Sequence, residues 1–412
     1  MTPISQEFAP PFKLIAPFFI FGGLFYVLSA FFLFGFSVED FSLLNPKIIS
    51  FTHLFLLGFV MMTIFGAMAQ LVPVVLEVGH FGVELFYAIW PLLLIGTLLM
   101  AFGFIYSPSL LPYGGMTVLI AMLIFVGEIF LTIKKVEKFN VVMSSVLVAN
   151  TFLFFGIVVG LVMALTYAGT IMADITALLK AHVYLVVAGY LSITLMGLSV
   201  VLLPMFGLSH GFSLKPLHRA IYMMSTSVIL VLLSSLFNIA VIDKIGYILS
   251  IVSLFIYFYL VYTIYKTRAR KENDIYARSL IFSYISLVVS LLMGLTYLVV
   301  GNELILLSSA WLLFFGFFGF AITGHIYKII PFLVWFERFS PLVGKEKVPM
   351  LVDMVPENST NAQFIFTGVG VILITLAILL QNEQLIGAGA SFIVVGSFAL
   401  LRSILYMINF KK

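Results

Sequence analysis

The sequence contains no cysteine and few charged residues. Without cysteine there are no disulfides, iron–sulfur clusters or thiolate metal sites, so a metal or haem would need His, Met, carboxylate or backbone ligands. Charged residues make up 9% of the 412 residues and hydrophobic residues 63%, whereas soluble domains carry about 25% charged residues. A soluble fold could not hide this much apolar surface. The composition therefore indicates a chain that resides in lipid, and the net charge of +4 indicates no nucleic-acid partner.

Apolar runs long enough to cross a bilayer recur along the whole chain. A hydrocarbon core about 30 Å thick requires roughly 20 apolar residues per helix. Such runs lie at about residues 12–36, 49–76, 82–106, 113–133, 142–168, 177–206, 217–240, 244–265, 278–299, 303–336, 362–380 and 384–408. They predict an all-α polytopic membrane protein with about twelve transmembrane helices, in a single transmembrane domain over residues 1–412. We interpret the first run as a retained helix rather than a signal peptide.

The positive charges are concentrated in alternate loops. If the N-terminus is cytoplasmic, the cytoplasmic loops and ends hold Lys13, Lys134, Lys135, Lys138, Lys215, Arg219, Lys266, Arg268, Arg270, Lys271, Arg278, Arg338, Lys345, Lys347, Lys411 and Lys412. The opposite side holds only Lys47, Lys180 and Lys244. By the positive-inside rule, this asymmetry predicts that both termini are cytoplasmic. We expect the cytoplasmic membrane of a bacterium or archaeon, with the lipid bilayer as the main partner.

A glycine followed seven residues later by a proline recurs in the second, sixth and tenth helices. The pairs are Gly66 with Pro73, Gly197 with Pro204, and Gly324 with Pro331. The spacing predicts three pseudo-symmetric four-helix units at approximately 12–136, 142–270 and 277–408. In this interpretation glycine permits close helix contact and proline bends or ends the helix. The alternative is chance alignment, because glycine and proline are common in membrane helices.

Three of the six histidines lie within these same helices. An ionisable residue inside a membrane is a functional candidate by default, and His is a common ligand of haem and metals. His53 precedes Pro73 by 20 residues and His182 precedes Pro204 by 22, so both should lie near the outer face. They could share one cofactor or occupy two outer pockets, and His182 is also a candidate metal ligand. His325 should lie roughly 20 Å deeper, with Trp311 at the repeat position of His53.

The remaining ionisable residues suggest a second polar region. We expect Lys328, Arg402, Glu128 and Gln70 to lie with His325 in the cytoplasmic half of the membrane. The alternative for Lys328 and Arg402 is that their side chains extend to the interface. His80, His210 and His218 fall at cytoplasmic helix ends, and we interpret them as interfacial residues.

Twelve helices, three four-helix units and His on the second and sixth helices resemble the haem–copper oxidase subunit I superfamily. The segments Thr52-His53-Leu-Phe-Leu-Leu-Gly58-Phe59 and Gly324-His325-Ile-Tyr-Lys328-Ile-Ile-Pro331-Phe332 carry the likeness in motif. The sequence is also similar in style to the NnrS-like membrane haem proteins, a looser relationship. The resemblance implies that His53 is an axial ligand of a b-type haem and that His182 lies on the helix where oxidases place a copper ligand.

The sequence also departs from the oxidase pattern. The seventh helix, at 217–240, lacks the adjacent histidine pair of the copper site, and the tenth lacks the His-x-His that ligates both haems. No tyrosine follows His182 at the spacing of the oxidase cross-link. These departures argue against oxygen reduction at a binuclear centre and leave catalysis undecided.

Three functions are compatible with the sequence. The first is a non-oxidase relative that binds a b-type haem, or copper, for electron transfer with a respiratory partner, for haem or metal handling, or for gas sensing. The second is a transporter built from parallel repeats. The third is a structural subunit of a respiratory complex.

Overall fold

Twelve helices long and apolar enough to span a membrane occupy the part of the chain that the structure, a computed structural model, describes, residues 8–411. In chain order, α1 to α12 are Phe12–Gly35, Pro46–Leu76, Val83–Ile105, Pro108–Ile133, Val141–Tyr167, Ile175–Gly207, Lys215–Phe237, Val241–Lys266, Ile275–Val300, Glu303–Arg338, Glu357–Leu380 and Glu383–Ile408. The chain is therefore an all-α polytopic integral membrane protein, and the predicted helix number is confirmed. Residues 1–7 and Lys412, which belong to the predicted cytoplasmic ends, lie outside the described residues.

Several helices begin earlier than the apolar runs predict, because their first turns are polar. α2 begins at Pro46 rather than residue 49, where the Asn45 side chain accepts a hydrogen bond from the Lys47 amide at 2.8 Å. Asparagine before a proline in the first turn is a strong helix start. α11 begins at Glu357 rather than residue 362, immediately after Pro356. A search for apolar residues alone does not detect these capping turns.

Asp40 fixes the connection between α1 and α2. Its carboxylate accepts hydrogen bonds from Lys47 Nζ at 2.8 Å and from the Ser37 amide at 2.9 Å. Burial acts to raise the pKa of Asp40, but these hydrogen bonds and the Lys47 charge outweigh it and lower the pKa below its ordinary value. The loop before α2 is therefore held by a charged group at neutral pH.

The helices divide into two compact bodies. The middle body comprises Leu71–Leu99 and Ser107–Lys271 together with residues 8–9. The terminal body comprises Pro10–Gln70, Met100–Tyr106 and residues 272–411. This division differs from the three predicted repeat units, whose boundaries remain a prediction.

The three repeat helices share an irregularity that the sequence did not predict. Each contains a π-helical segment: Leu54–Met61 in α2, Tyr184–Ser192 in α6 and Leu312–Gly319 in α10. In every case the segment ends twelve residues before the proline of its helix. Such π segments are rare and often occur at functional sites. The shared register extends the Gly–Pro similarity from sequence to backbone geometry.

Each repeat helix packs through two glycines against the helix that precedes it. In the terminal body, Gly58 and Gly66 face Phe25 and Phe18 of α1, and Gly316 and Gly324 face Ser286 and Ser279 of α9. In the middle body, Gly189 and Gly197 face Phe152 and Ser145 of α5. At each of the six positions, an added methyl group would be crowded by the facing side chain. The glycines therefore set these helix–helix distances, as small residues do in membrane bundles.

A column of stacked aromatic rings fills the core of the terminal body. Phe315 of α10 stacks on Phe55 of α2 with ring centroids 3.7 Å apart and on Trp311 at 4.3 Å. Phe51 extends the column at 5.4 Å from Phe315, with the two rings 5° from parallel. The Trp311 indole donates a hydrogen bond to the Val371 carbonyl at 3.1 Å. All four rings are buried, so the column forms a continuous aromatic part of the core.

Candidate functional site

His53 lies in the terminal body, immediately before the π segment of α2. Its Nδ1 is 2.8 Å from the Ile49 carbonyl oxygen, and its ring contacts Phe104 with centroids 5.1 Å apart. A carbonyl oxygen only accepts hydrogen bonds, so Nδ1 must carry the proton. In the neutral imidazole, the lone pair is then on Nε2. This is the tautomer in which a backbone hydrogen bond orients a metal-binding histidine.

His182 lies in the middle body, two residues before the π segment of α6. Its Nδ1 donates to the Gly156 carbonyl of α5 at 2.8 Å. A methyl group added at Gly160, one turn further along α5, would lie 2.9 Å from the imidazole Cε1. Gly160 therefore creates the space that the ring occupies, whereas an added methyl group at Gly156 would meet Val186 and Leu185. His182 has the same tautomer as His53.

His325 belongs to a polar cluster in the terminal body. Its Nδ1 donates to the Ala321 carbonyl at 2.7 Å, and the Tyr276 hydroxyl lies 3.5 Å from its Nε2. One turn further, Lys328 Nζ forms an ion pair with Asp274 at 2.6 Å and lies 5.7 Å from the centre of the Tyr276 ring. Tyr276 therefore joins His325 to the ion pair. Sequence reasoning identified His325 and Lys328 but missed their partners, which lie about 50 residues earlier at the start of α9.

The other residues of the predicted cytoplasmic-half cluster have separate surroundings. Arg402 is exposed on α12, with no hydrogen bond or ion pair to any described residue, and so fits the alternative of a side chain extending to the interface. Gln70 is buried within the terminal body. Glu128 lies in the middle body, where its partners come from the connection between α2 and α3. The hydrogen bonds of the described residues do not join these three side chains to Lys328.

Glu128 and His80 form a buried pair in the middle body. Glu128 Oε1 lies 2.8 Å from His80 Nδ1 and accepts hydrogen bonds from the Thr132 hydroxyl at 2.7 Å and the Phe81 amide at 3.1 Å. The His80 side chain is 3% exposed and that of Glu128 is 0% exposed, while Glu128 Oε2 is buried with no hydrogen-bond partner among the described residues. His80 is therefore a buried partner of Glu128, and its depth at the membrane interface stays a prediction. His210 and His218 are exposed, as expected for interfacial residues.

A part-buried ion pair in the middle body joins α6 to α8, with the Lys180 side chain 31% exposed. Lys180 Nζ lies 2.8 Å from Asp243 Oδ2, and the other Asp243 oxygen is buried with no hydrogen-bond partner among the described residues. Tyr184, one turn along α6, has its hydroxyl 3.3 Å from the Ser250 hydroxyl of α8. Sequence reasoning placed Lys180 on the outer side and did not identify Asp243. A lone Asp in the first turn of an apolar helix was the signal that could have found it.

A bare metal ion and a haem require different numbers of protein ligands. Residues 8–411 contain no group of three or more His, Cys, Asp or Glu side chains that could hold a metal ion. An axial haem ligand requires only one oriented imidazole, and the tautomer of His53 fits that role. The corresponding position in α10 does not fit, because Trp311 fills it within the aromatic column. His53 and His182 thus each present one oriented imidazole.

Comparison of the chain with protein-family models and with curated proteins finds no match in either case. The class that the fold defines is a polytopic integral membrane protein of twelve spans. The candidate site is therefore described by its geometry: oriented histidines beside the π segments of α2 and α6, and the buried Glu128–His80 pair.

Proposed function

We propose that this membrane protein binds a b-type haem through His53, near the outer face of the bilayer. The observation that carries the proposal is the hydrogen bond from His53 Nδ1 to the Ile49 carbonyl at 2.8 Å. It orients the ring and increases the basicity of Nε2, the nitrogen that would bind iron. Phe104 packs against the imidazole and limits its rotation. The resemblance of the second helix to that of haem–copper oxidases supports the same assignment.

When bound, the haem would supply one-electron redox chemistry and a position for a small diatomic gas. The contribution of the chain is to fix the half-buried imidazole through the Ile49 carbonyl and the Phe104 ring. Burial and hydrogen bonding of the axial ligand are the means by which a protein adjusts haem potential. These roles suit electron transfer with a respiratory partner, or gas sensing, better than oxygen reduction.

The test is an absorption spectrum of the full-length protein purified in detergent after expression with excess haem. We expect a Soret band at one haem per chain, which His53→Ala removes and His218→Ala leaves unchanged. His218 is the matched control because it is exposed and bonds only to the carbonyl of Leu214 four residues earlier. Absence of the band, or its survival in His53→Ala, would refute the proposal. A band lost in His182→Ala instead would move the ligand to the middle body.

A second candidate function is transport, favoured by the part-buried Lys180–Asp243 pair. Charged residues inside membrane spans often mark ion or substrate pathways, and one Asp243 oxygen has no hydrogen-bond partner among the described residues. Flux measurements in proteoliposomes separate the two functions. Proton-coupled transport that is lost in Asp243→Asn, in protein without a Soret band, would favour transport over haem binding.

A further inference from the structure

The end of α8 extends beyond the start of its neighbour α7 in the middle body. Two hydrogen bonds fix the register of this antiparallel pair: Ser253 Oγ donates to the Ala220 carbonyl at 2.7 Å, and Ser227 Oγ to the Gly246 carbonyl at 2.6 Å. In this register Lys215, the first residue of α7, lies level with residue 258 of α8. The helix α8 continues from there to Lys266, which is about 12 Å at 1.5 Å per residue. The last two turns of α8 therefore project past α7.

The projecting end is held in place by backbone pairing with the end of α6. Ser209, just after α6, forms an antiparallel bridge with Arg268, just after α8. The Ala269 amide donates a hydrogen bond to the Leu208 carbonyl at 3.2 Å. Residues 266–271, which we call the basic ridge, are therefore held against the end of α6.

The basic ridge carries four cations in six residues, which are Lys266, Arg268, Arg270 and Lys271. Between residues 175 and 271 the only acidic side chain is that of Asp243, at the opposite end of α8, while Glu272 directly follows the ridge. Lys266 and Lys271 are exposed and have no hydrogen bond or ion pair with any described residue. These two lysines therefore present positive charge that no ion pair within the described residues neutralises.

The other basic connections on the same predicted side contain acidic residues among their lysines. Glu137 lies within residues 134–138, and Glu346 lies within residues 345–347. Opposite charges this close offset each other's attraction for an anion. The basic ridge is thus distinct from the general excess of Lys and Arg in alternate loops.

Exposed tyrosines indicate the level of the ridge relative to the bilayer. Tyr259 and Tyr262 of α8 are 62% and 53% exposed, and tyrosines of membrane helices concentrate at the membrane–water interface. Lys266 follows Tyr262 by about 6 Å along the helix. The polar headgroup layer is about 5–8 Å thick on each side of the hydrocarbon core. The ridge therefore begins at the level of the lipid phosphates.

We propose that the basic ridge binds the headgroups of anionic phospholipids in the surrounding bilayer. Charge complementarity selects an anionic headgroup, because each basic residue near the membrane surface attracts anionic lipid. The level of the ridge favours lipid over a soluble acidic protein, which would have to enter the headgroup layer to reach Lys266. The proposal is independent of haem binding, since it uses residues 266–271 and none of the contacts of His53.

The experiment measures lipid binding to the full-length protein in detergent by native mass spectrometry. We expect phosphatidylglycerol to bind at least about fivefold more tightly than phosphatidylcholine. This preference should shrink when ammonium acetate is raised from about 0.1 M to about 1 M, because the Debye length falls from about 10 Å to about 3 Å. Equal binding of the two lipids, or a preference that salt does not change, would overturn the proposal.

Two soluble probes separate lipid from other anions. Inorganic phosphate and the peptide hexaglutamate should not displace phosphatidylglycerol, because neither is held at the level of the ridge by a bilayer-forming acyl chain. Displacement by phosphate would make the ridge a site for a free anion. Displacement by hexaglutamate would make its partner an acidic peptide, and either result would contradict the proposal.

A double variant and a control of equal charge locate the site. Lys266→Gln combined with Lys271→Gln should weaken phosphatidylglycerol binding about tenfold and leave phosphatidylcholine binding unchanged. Lys345→Gln combined with Lys347→Gln removes the same charge from a mixed connection and should weaken binding by less than about twofold. If the control weakens binding as much, the attraction is general and the ridge is not the site. All four positions are exposed, so both variants should retain the helical circular dichroism spectrum.

Discussion

At the scale of single residues, the buried Glu128 holds several neighbouring polar groups in place. One of its oxygens contacts three hydrogen-bonding groups, from His80, Phe81 and Thr132. Lys135 holds the same loop from outside, with Nζ 2.8 Å from the His80 carbonyl oxygen. The connection between α2 and α3 is therefore attached to α4 through polar contacts on both sides. Buried polar groups that lose a partner are costly.

We predict that Glu128→Ala lowers the free energy of unfolding by about 3 kcal/mol, because it removes the acceptor that the buried His80 imidazole and Thr132 hydroxyl share, while the Phe81 amide keeps the Thr132 oxygen at 2.9 Å. Glu128→Gln should cost about 1 kcal/mol, since an amide oxygen can still accept from Thr132 and Phe81. The measurement is thermal unfolding in detergent followed by circular dichroism. Glu137→Ala, at an exposed position nine residues later, is the control and should change stability by less than about 0.5 kcal/mol. Equal effects of Glu128→Ala and Glu137→Ala would contradict the prediction.

The polar pairs show why the sequence alone identified individual candidate residues but not the residues that they contact. His53, His182 and His325 were recognisable because a histidine in an apolar run is conspicuous. Their partners were not recognisable: Glu128 meets a histidine 48 residues away, and Lys328 meets Asp274 at a separation of 54. Periodicity and charge counts carry no information about which distant helix end lies opposite. Which helix ends meet is decided by how the helices pack in the folded protein.

At the scale of the helix, the glycines of the repeat explain why the second helix of each predicted unit packs so closely on the first. Gly58 lies inside the π segment of α2, directly against Phe25 of α1. Replacing it with alanine adds a methyl group where there is no room, and overpacking of a rigid contact is destabilising. The same substitution on an open helix face should have the opposite effect, since alanine favours helix more than glycine does.

Gly58→Ala should therefore lower the midpoint of thermal unfolding, at a cost of about 1–3 kcal/mol. Gly387→Ala is the matched control, because Gly387 is also helical, in α12, and an added methyl group there meets nothing within 4 Å. It should leave stability unchanged or raise it by up to about 1 kcal/mol. The prediction fails if both substitutions raise the midpoint. Unfolding of both variants is followed in the same detergent by circular dichroism.

At the scale of the whole molecule, helix number and span were predictable because the length of an apolar run is a local property that the bilayer thickness fixes. All twelve helices agree with the apolar runs, and the largest corrections are polar first turns such as that of α11. Orientation is a separate prediction, which rests on the excess of Lys and Arg in alternate loops. It follows from charge rather than from helix geometry.

The absence of cysteine permits a direct test of orientation, because any thiol introduced into the chain is the only one present. We predict that Lys244→Cys reacts with a membrane-impermeant maleimide on intact cells. Lys138→Cys should react only after the membrane is permeabilised. Both positions are exposed at or beyond helix ends. The reversed pattern would place the termini outside and the histidine His53 near the inner face.

The three π segments fix how the two halves of each repeat helix are rotated relative to each other. A π segment is an α-helix with extra residues inserted, so the helix faces before and after it are out of phase. In α2, the face that presents His53 is thereby uncoupled from the face that presents Gly66 to α1. Deleting a single residue from Leu54–Met61 would rotate one half of the helix by about 100° relative to the other. Either the histidine would turn away from its present surroundings, or the glycine contact would be lost. Each segment thus changes the angle between the helix faces before and after it. One helix can then present two contact faces that a continuous α-helix would not bring into these directions.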